Sequence, residues 1–347
     1  MMDMTVLSGG LAPGDPAFWL PVVFMGLLAF ALLAYVLLDG FDLGVGILLA
    51  HSRQTAEQDT MLASVGTFWD ANETWLVLGG GVLLVAFPFG YGDILTALYL
   101  PATCLLFGLI LRGVAFDFRA KLPVRRQRLW THLFWLGSVL AAAAQGYMLG
   151  GVVTGHHPGL HYQLFSAFVG ACFVAAYALL GATWLIMKTE GELQRRAVRW
   201  ARRTAWLTAA AVAAVSVTMP LMSRAILHKW LVLPDMLLLA PVPLVTLLAF
   251  ALLEFTLRRL PLPDDRLCWL PFALVVTIVV CAFIGLGYSL FPYLIMDRLT
   301  IWQGAAAVGS LRIVLWGTAV VLPVIVAYNA YAYWVFRGKA ASALHYD

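Results

Sequence analysis

Runs of about 20 apolar residues recur from one end of this chain to the other, and that recurrence limits the fold more than any motif does. In hydrocarbon every backbone N–H and C=O must be satisfied internally, so such runs become helices. A transmembrane β-barrel would need apolar and polar residues in alternation, which no segment shows. Charged residues make up only 12% of the 347, and the mean hydropathy is +0.88. A soluble domain carries about twice that share of charge. The fold class expected is an all-α integral membrane protein, a single transmembrane domain over 1–347.

The runs lie at 18–50, 74–90, 94–113, 131–152, 164–187, 204–223, 235–257, 268–291 and 312–336, which predicts a polytopic bundle of nine transmembrane helices. The second is short, carries Gly79, Gly80 and Gly81 and ends at Pro88, and counts as a span because glycine is common where membrane helices pack closely. The first 17 residues lack a basic segment and a cleavage site, so no removable signal peptide is expected. Of the 22 Lys and Arg, 18 follow odd-numbered spans. They are Arg53, the group Arg112 to Arg128, the group Lys188 to Arg203, then Arg258, Arg259, Arg266, Arg337 and Lys339. Arg224, Lys229, Arg298 and Arg312 fall on the other side. Positive charge accumulates on the cytoplasmic face, so the N-terminus is expected outside (periplasmic) and the C-terminus inside. Residues 188–203, KTEGELQRRAVRWARR, resemble a basic amphipathic helix facing phospholipid. The net charge of +4 gives no reason to expect nucleic acid.

Five acids sit where lipid makes charge expensive: Asp39, Asp42, Asp70, Glu73 and Asp117. An ionisable group at the centre of a membrane helix costs about 2.5–3.5 kcal/mol on insertion scales, so it points to function. Asp39 and Asp42 are three apart, as are Asp70 and Glu73, and each pair can share a helix face. The predicted topology puts all five toward the cytoplasm, as the lining of a proton path. Gly40 and Gly44 let another helix close around the first pair, and Arg112 and Arg119 offer cationic partners. The alternative is that these acids cap helix ends and pair with interfacial arginines. Cys104, Cys172, Cys268 and Cys281 lack metal-type spacing and are expected to be small core residues. None of the seven histidines, His51, His132, His156, His157, His161, His228 and His345, falls in mid-span, where a haem ligand would be needed. No metal site and no catalytic residue is expected in this chain itself. A proton-coupled secondary transporter and a purely structural subunit remain open on these features alone.

Three segments in order, LLDGFDLGVG (37–46), WDANETWLVLGGGVLLVAFP (69–88) and LRGVAFDFR (111–119), resemble subunit II of the cytochrome bd-type quinol oxidases, including the cyanide-insensitive branch. Trp69, Asp70 and Asn72 match the family's WDGN motif, with Ala71 in place of its glycine. The resemblance implies a partner, subunit I, that carries haem b of two types and haem d. It implies coupling of quinol oxidation to reduction of O2 to water in the bacterial cytoplasmic (inner) membrane, with protons drawn from the cytoplasm. Asp70 then matches the family's path aspartate, and Asp39 and Asp42 its signature acids. Some members hold a quinone in this subunit as a structural ligand. The resemblance leaves room for a small accessory subunit, and membrane lipid is a further partner.

Overall fold

The computed structural model describes residues 7–340 except Arg53, Val232 and Pro234; Arg53 and His345 thus lie outside the described residues. The chain begins with α1 (Pro16–Leu49), capped by the Asp15 side chain, which accepts from the Ala17 N–H at 2.8 Å. A short polar helix α2 (Thr55–Ala63) leads to α3 (Trp69–Ala86). Then come α4 (Pro88–Lys121), α5 (Val124–Val153), α6 (Leu160–Lys188) and α7 (Gly191–Met222). Two short helices, α8 (Arg224–Leu231) and α9 (Asp235–Leu239), precede α10 (Pro241–Arg259) and α11 (Leu270–Leu290). An antiparallel hairpin of β1 (Tyr293–Ile295) and β2 (Leu299–Thr300), with Tyr293 opposite Thr300, ends in the one-turn α12 (Ile301–Gly304). The last helix is α13 (Val308–Val335). Prolines at the first turns of α1, α4, α10 and α11 mark where helices begin, because proline lacks an N–H and bars the preceding residue from helical geometry.

The core is the packing of α1, α4, α5 and α6, and small residues bring their backbones together. A Cβ placed on Gly44 would lie 1.8 Å from the Tyr177 carbonyl oxygen, and one on Gly181 would lie 2.2 Å from the Gly44 carbonyl carbon. Gly108 and Gly137 meet in the same way between α4 and α5. Close approach of this kind is how membrane helices associate when lipid removes the hydrophobic drive. Aromatic stacks fill the space beside the crossing: Phe41 on Trp184 at 4.0 Å and Phe68 on Tyr333 at 4.4 Å. Helix α13 buries only Leu311 and is pinned by its ends. Ala306 N–H donates to Ala86 O at one end, and Lys188 donates to Phe336 O and Gly338 O at the other.

Eight helices among the described residues are long and apolar enough to cross a membrane, one fewer than the nine expected. The missing one is α3, 18 residues whose first turn, Trp69 to Asn72, is polar. Three other expectations change. The basic segment 188–203 is not a separate surface helix but, from Gly191, the first half of α7, with Leu193, Ala197, Val198 and Ala201 buried against protein. Helix α4 runs on to Lys121, so Arg112 and Asp117 lie within it, because apolar Val114, Ala115 and Phe116 keep the helical pattern going. Cys281 is buried, but Cys104 is exposed on the outer face of α4 and is not a core residue.

Candidate functional site

Arg112 is the centre of a buried polar cluster, with 1% of its surface exposed. One guanidinium nitrogen donates to Asp39 at 2.7 Å and also to Glu73, joining α4 to α1 and α3. The Trp69 ring lies 5.7 Å from the guanidinium carbon and covers it from the α3 side. Trp69 fits there because Gly113 leaves it room: a Cβ on Gly113 would meet the ring at 3.2 Å. Asn72 is the second organiser. Its amide nitrogen donates to Asp42 at 2.7 Å and to Leu38 O at 3.2 Å, while its oxygen accepts from Tyr333 at 2.9 Å.

A third set of contacts runs inward from Asp39. Tyr35, one turn earlier on α1, accepts from Gln145 at 2.8 Å, and Gln145 accepts in turn from Tyr177 at 2.5 Å. Gly40 makes space for the Tyr177 ring, since a Cβ there would come within 2.9 Å of it. Asp39 Oδ2, Asp42 Oδ1 and Arg112 Nε and Nη1 are buried without a hydrogen-bond partner among the protein groups. Asp39 is ten residues from the end of α1, a depth of roughly 15 Å along the helix.

The structure therefore brings together Asp39, Asp42, Glu73, Asn72, Trp69 and Arg112, with Gly40 and Gly44 behind them. It does not bring in the other candidates. Asp70 lies on the exposed face of α3, together with Ala71, Thr74, Val77, Gly80 and Gly81. Asp117 is exposed on α4, because the pitch of the helix turns it away from the side that carries Arg112. Arg119 is buried elsewhere, bonded to Asp59 of α2 at 2.6 Å and to Thr131 at 2.9 Å. Sequence reasoning missed Tyr35, Gln145, Tyr177 and Tyr333. Gln145 had a signal: it is a lone amide in the apolar stretch AAAAQGY.

The described histidines offer no haem ligand inside the bundle. His51 follows the end of α1, His132 is exposed near the start of α5, and His228 is on α8. His156 and His157 lie in the connection between α5 and α6, and His161 in the first turn of α6. Burial beside Arg298 pulls His156 below the ordinary histidine range. Among the described residues no three His, Cys, Asp or Glu side chains are placed to hold a metal.

A family model described as cytochrome bd terminal oxidase subunit II matches residues 20–336. The cytochrome bd-I ubiquinol oxidase subunit 2 of Escherichia coli K12 is 27% identical, covering 89% of this chain and 92% of its own length. The cytochrome bd ubiquinol oxidase subunit 2 of Bacillus subtilis is 24% identical, over 91% of this chain and 95% of its own. A chain in the structure of bd oxidase from Geobacillus thermodenitrificans shares the fold, with a TM-score of 0.73 at 18% identity, covering 92% of this chain and 99% of that one. With a family model matched along nearly its whole length, the chain belongs to the cytochrome bd terminal oxidase subunit II family.

Proposed function

We propose that this chain supplies the cytoplasmic proton-uptake path of a bd-type quinol oxidase, with the Arg112 cluster as its inner lining. Subunit I carries haem b of two types and haem d, whose chemistry is the reduction of O2 by electrons from quinol. The chain crosses the membrane nine times, α3 included, with its N-terminus outside. In this orientation the C-terminal ends of α1 and α4 and the start of α3 open to the cytoplasm, beside the basic residues of α7. One observation carries the reading: Asp39 and Glu73 share a single buried guanidinium at that end of the bundle, and Asp42 lies beside them bonded only to the neutral Asn72 among the described residues. Three carboxyl groups and one cation cannot all be charged cheaply in a low dielectric, so the cluster holds exchangeable protons.

Asp70 has a different place in this scheme. An exposed membrane carboxyl with no hydrogen bond or ion pair among the described residues needs another protein surface, and Gly80 and Gly81 on the same face of α3 would let a helix approach closely. That surface is assigned to subunit I, and Asp70 is where the path leaves this chain. Lipid is the partner of Arg199, Arg202, Arg203 and Trp206, which line one hollow on α7. A structural quinone and a small accessory subunit fit the family but find no specific support in this geometry.

The second reading is purely structural, and the Arg112 contacts favour it, since they tie three helices together. Replacing Asp70 with asparagine separates the two. On the path reading the assembled complex keeps its haem spectrum and loses most quinol oxidase turnover. Full turnover with intact haem would reduce the acids to assembly elements.

A further inference from the structure

We propose that Tyr177, Gln145 and Tyr35 form a one-way hydrogen-bonded clamp that keeps Asp39 a permanent counter-ion of Arg112, leaving Asp42 as the exchangeable acid of the pair. The direction follows from the donors. The Tyr177 hydroxyl gives its proton to Gln145 Oε1, which fixes which end of the amide faces which way. Gln145 Nε2 must then give to the Tyr35 oxygen. Having accepted, Tyr35 still has its own hydrogen to donate, and the carboxyl it interacts with is Asp39, one turn on along α1, whose Oδ2 is buried with no hydrogen-bond partner of its own. Both bonds run toward Tyr35, the neighbour of Asp39.

Such a chain holds charge and does not carry protons. An amide cannot pass a proton along without becoming an imidic acid, so Gln145 interrupts any relay from α6. Asp39 also receives the guanidinium of Arg112 at 2.7 Å. A hydrogen bond from a cation favours the ionised form, and a hydroxyl hydrogen turned toward the same carboxyl adds to it.

Asp42 is held differently. Among the described residues its only hydrogen-bond donor is the neutral amide of Asn72, and the orientation of that amide is fixed as well, because Tyr333 occupies Asn72 Oδ1. The opposite oxygen, Asp42 Oδ1, is buried with no partner and is the atom free to carry a hydrogen. The charged and titratable groups that face Asp42 are Asp39, Arg112 and Glu73, with Tyr333 behind Asn72. Arg112 bonds Asp39 and Glu73, so Asp42 is the carboxyl left without a cation.

The functional meaning rests on the uptake reading above, but the assignment of charge does not, and infrared spectroscopy of the purified two-subunit complex tests it directly. The C=O stretch of protonated carboxyls should include one band that Asp42→Asn removes and Asp39→Asn leaves in place. Tyr35→Phe, or Gln145→Met if that variant fails to assemble, should add a second band, which a further Asp39→Asn abolishes. Tyr177→Phe, losing one oxygen at the far end, should add a weaker one. A wild-type band that disappears with Asp39→Asn, or no new band in any clamp variant, overturns the proposal. Wild-type turnover and proton uptake in Asp42→Asn, with its band gone, would leave the clamp standing and remove the uptake path.

Discussion

Arg112 donates to two carboxyls and leaves two of its nitrogens without acceptors, so its environment depends on charge more than on hydrogen-bond count. Removing one partner of a buried pair strands the other and costs about 3–5 kcal/mol. Arg112→Gln should therefore cut the amount of assembled complex severely, measured as haem-bearing oxidase per membrane protein. The double change Arg112→Gln with Asp39→Asn should restore part of it, because no charge is then left alone. Lysine at this position should do little better than glutamine, since an ammonium is more strongly hydrated and costlier to bury than a guanidinium and loses the planar contact with the Trp69 ring. Much of this cluster was legible in the sequence. Asp39, Asp42, Glu73 and Arg112 stood out because lipid makes charge conspicuous. That Asp117 and Asp70 stand apart from the cluster was not legible: being charged shows that a residue needs a partner but not which side of its helix it occupies. The tyrosines gave no signal, because a tyrosine fits lipid boundary, core or polar network equally well.

Helix crossings set the second scale, and glycine decides where α1 meets α6. At Gly44 a side chain would enter the Tyr177 carbonyl, and at Gly181 it would enter the Gly44 backbone. Gly44→Val should force the two helices apart and pull Tyr177 away from Gln145; overpacking of this kind costs roughly 1–3 kcal/mol where neighbours can shift, and here the neighbour is backbone. The expected result is a complex with a lower melting temperature in detergent and weakened oxidase turnover. Gly26→Ala and Gly309→Ala, with no atom within 4 Å of the added carbon, should melt like wild type. The sequence showed that α1 carried glycines beside acids, and it could not name Gly181 as the partner, since that contact spans more than 130 residues. Proline marks one element end clearly, at Pro88, whereas Pro241, where α10 begins, lies inside the apolar run 235–257. Element ends were hidden at α7, where the run RRAVRWARR reads as a surface while α7 passes through it unbroken into its apolar half.

For the whole molecule the open quantity is parity, and α3 decides it. If α3 crosses, the chain passes through the membrane nine times, the α5–α6 connection with His157 is outside, and both Arg203 and the C-terminus are inside. If it does not, every later segment inverts, and the arginine-rich half of α7 would face the periplasm against the positive-inside rule. The exposed face of α3 argues for crossing. Val77, Leu84 and Val85 point away from the chain, which suits lipid or a partner helix and would be a liability in water. Polar residues are confined to its first turn and a half, at the end that meets Arg112. Fluorescent protein fused after residue 340 should therefore be bright, since it folds in the cytoplasm. In intact cells a membrane-impermeant thiol reagent should label His157→Cys and spare Arg203→Cys until the membrane is opened. A dark fusion with labelling at residue 203 in intact cells would mean that α4 and all that follows run the other way; because Arg112 is bonded to Asp39, α1 would then be inverted with them, and Asp70 and Glu73 would stand on the wrong side to take protons from the cytoplasm.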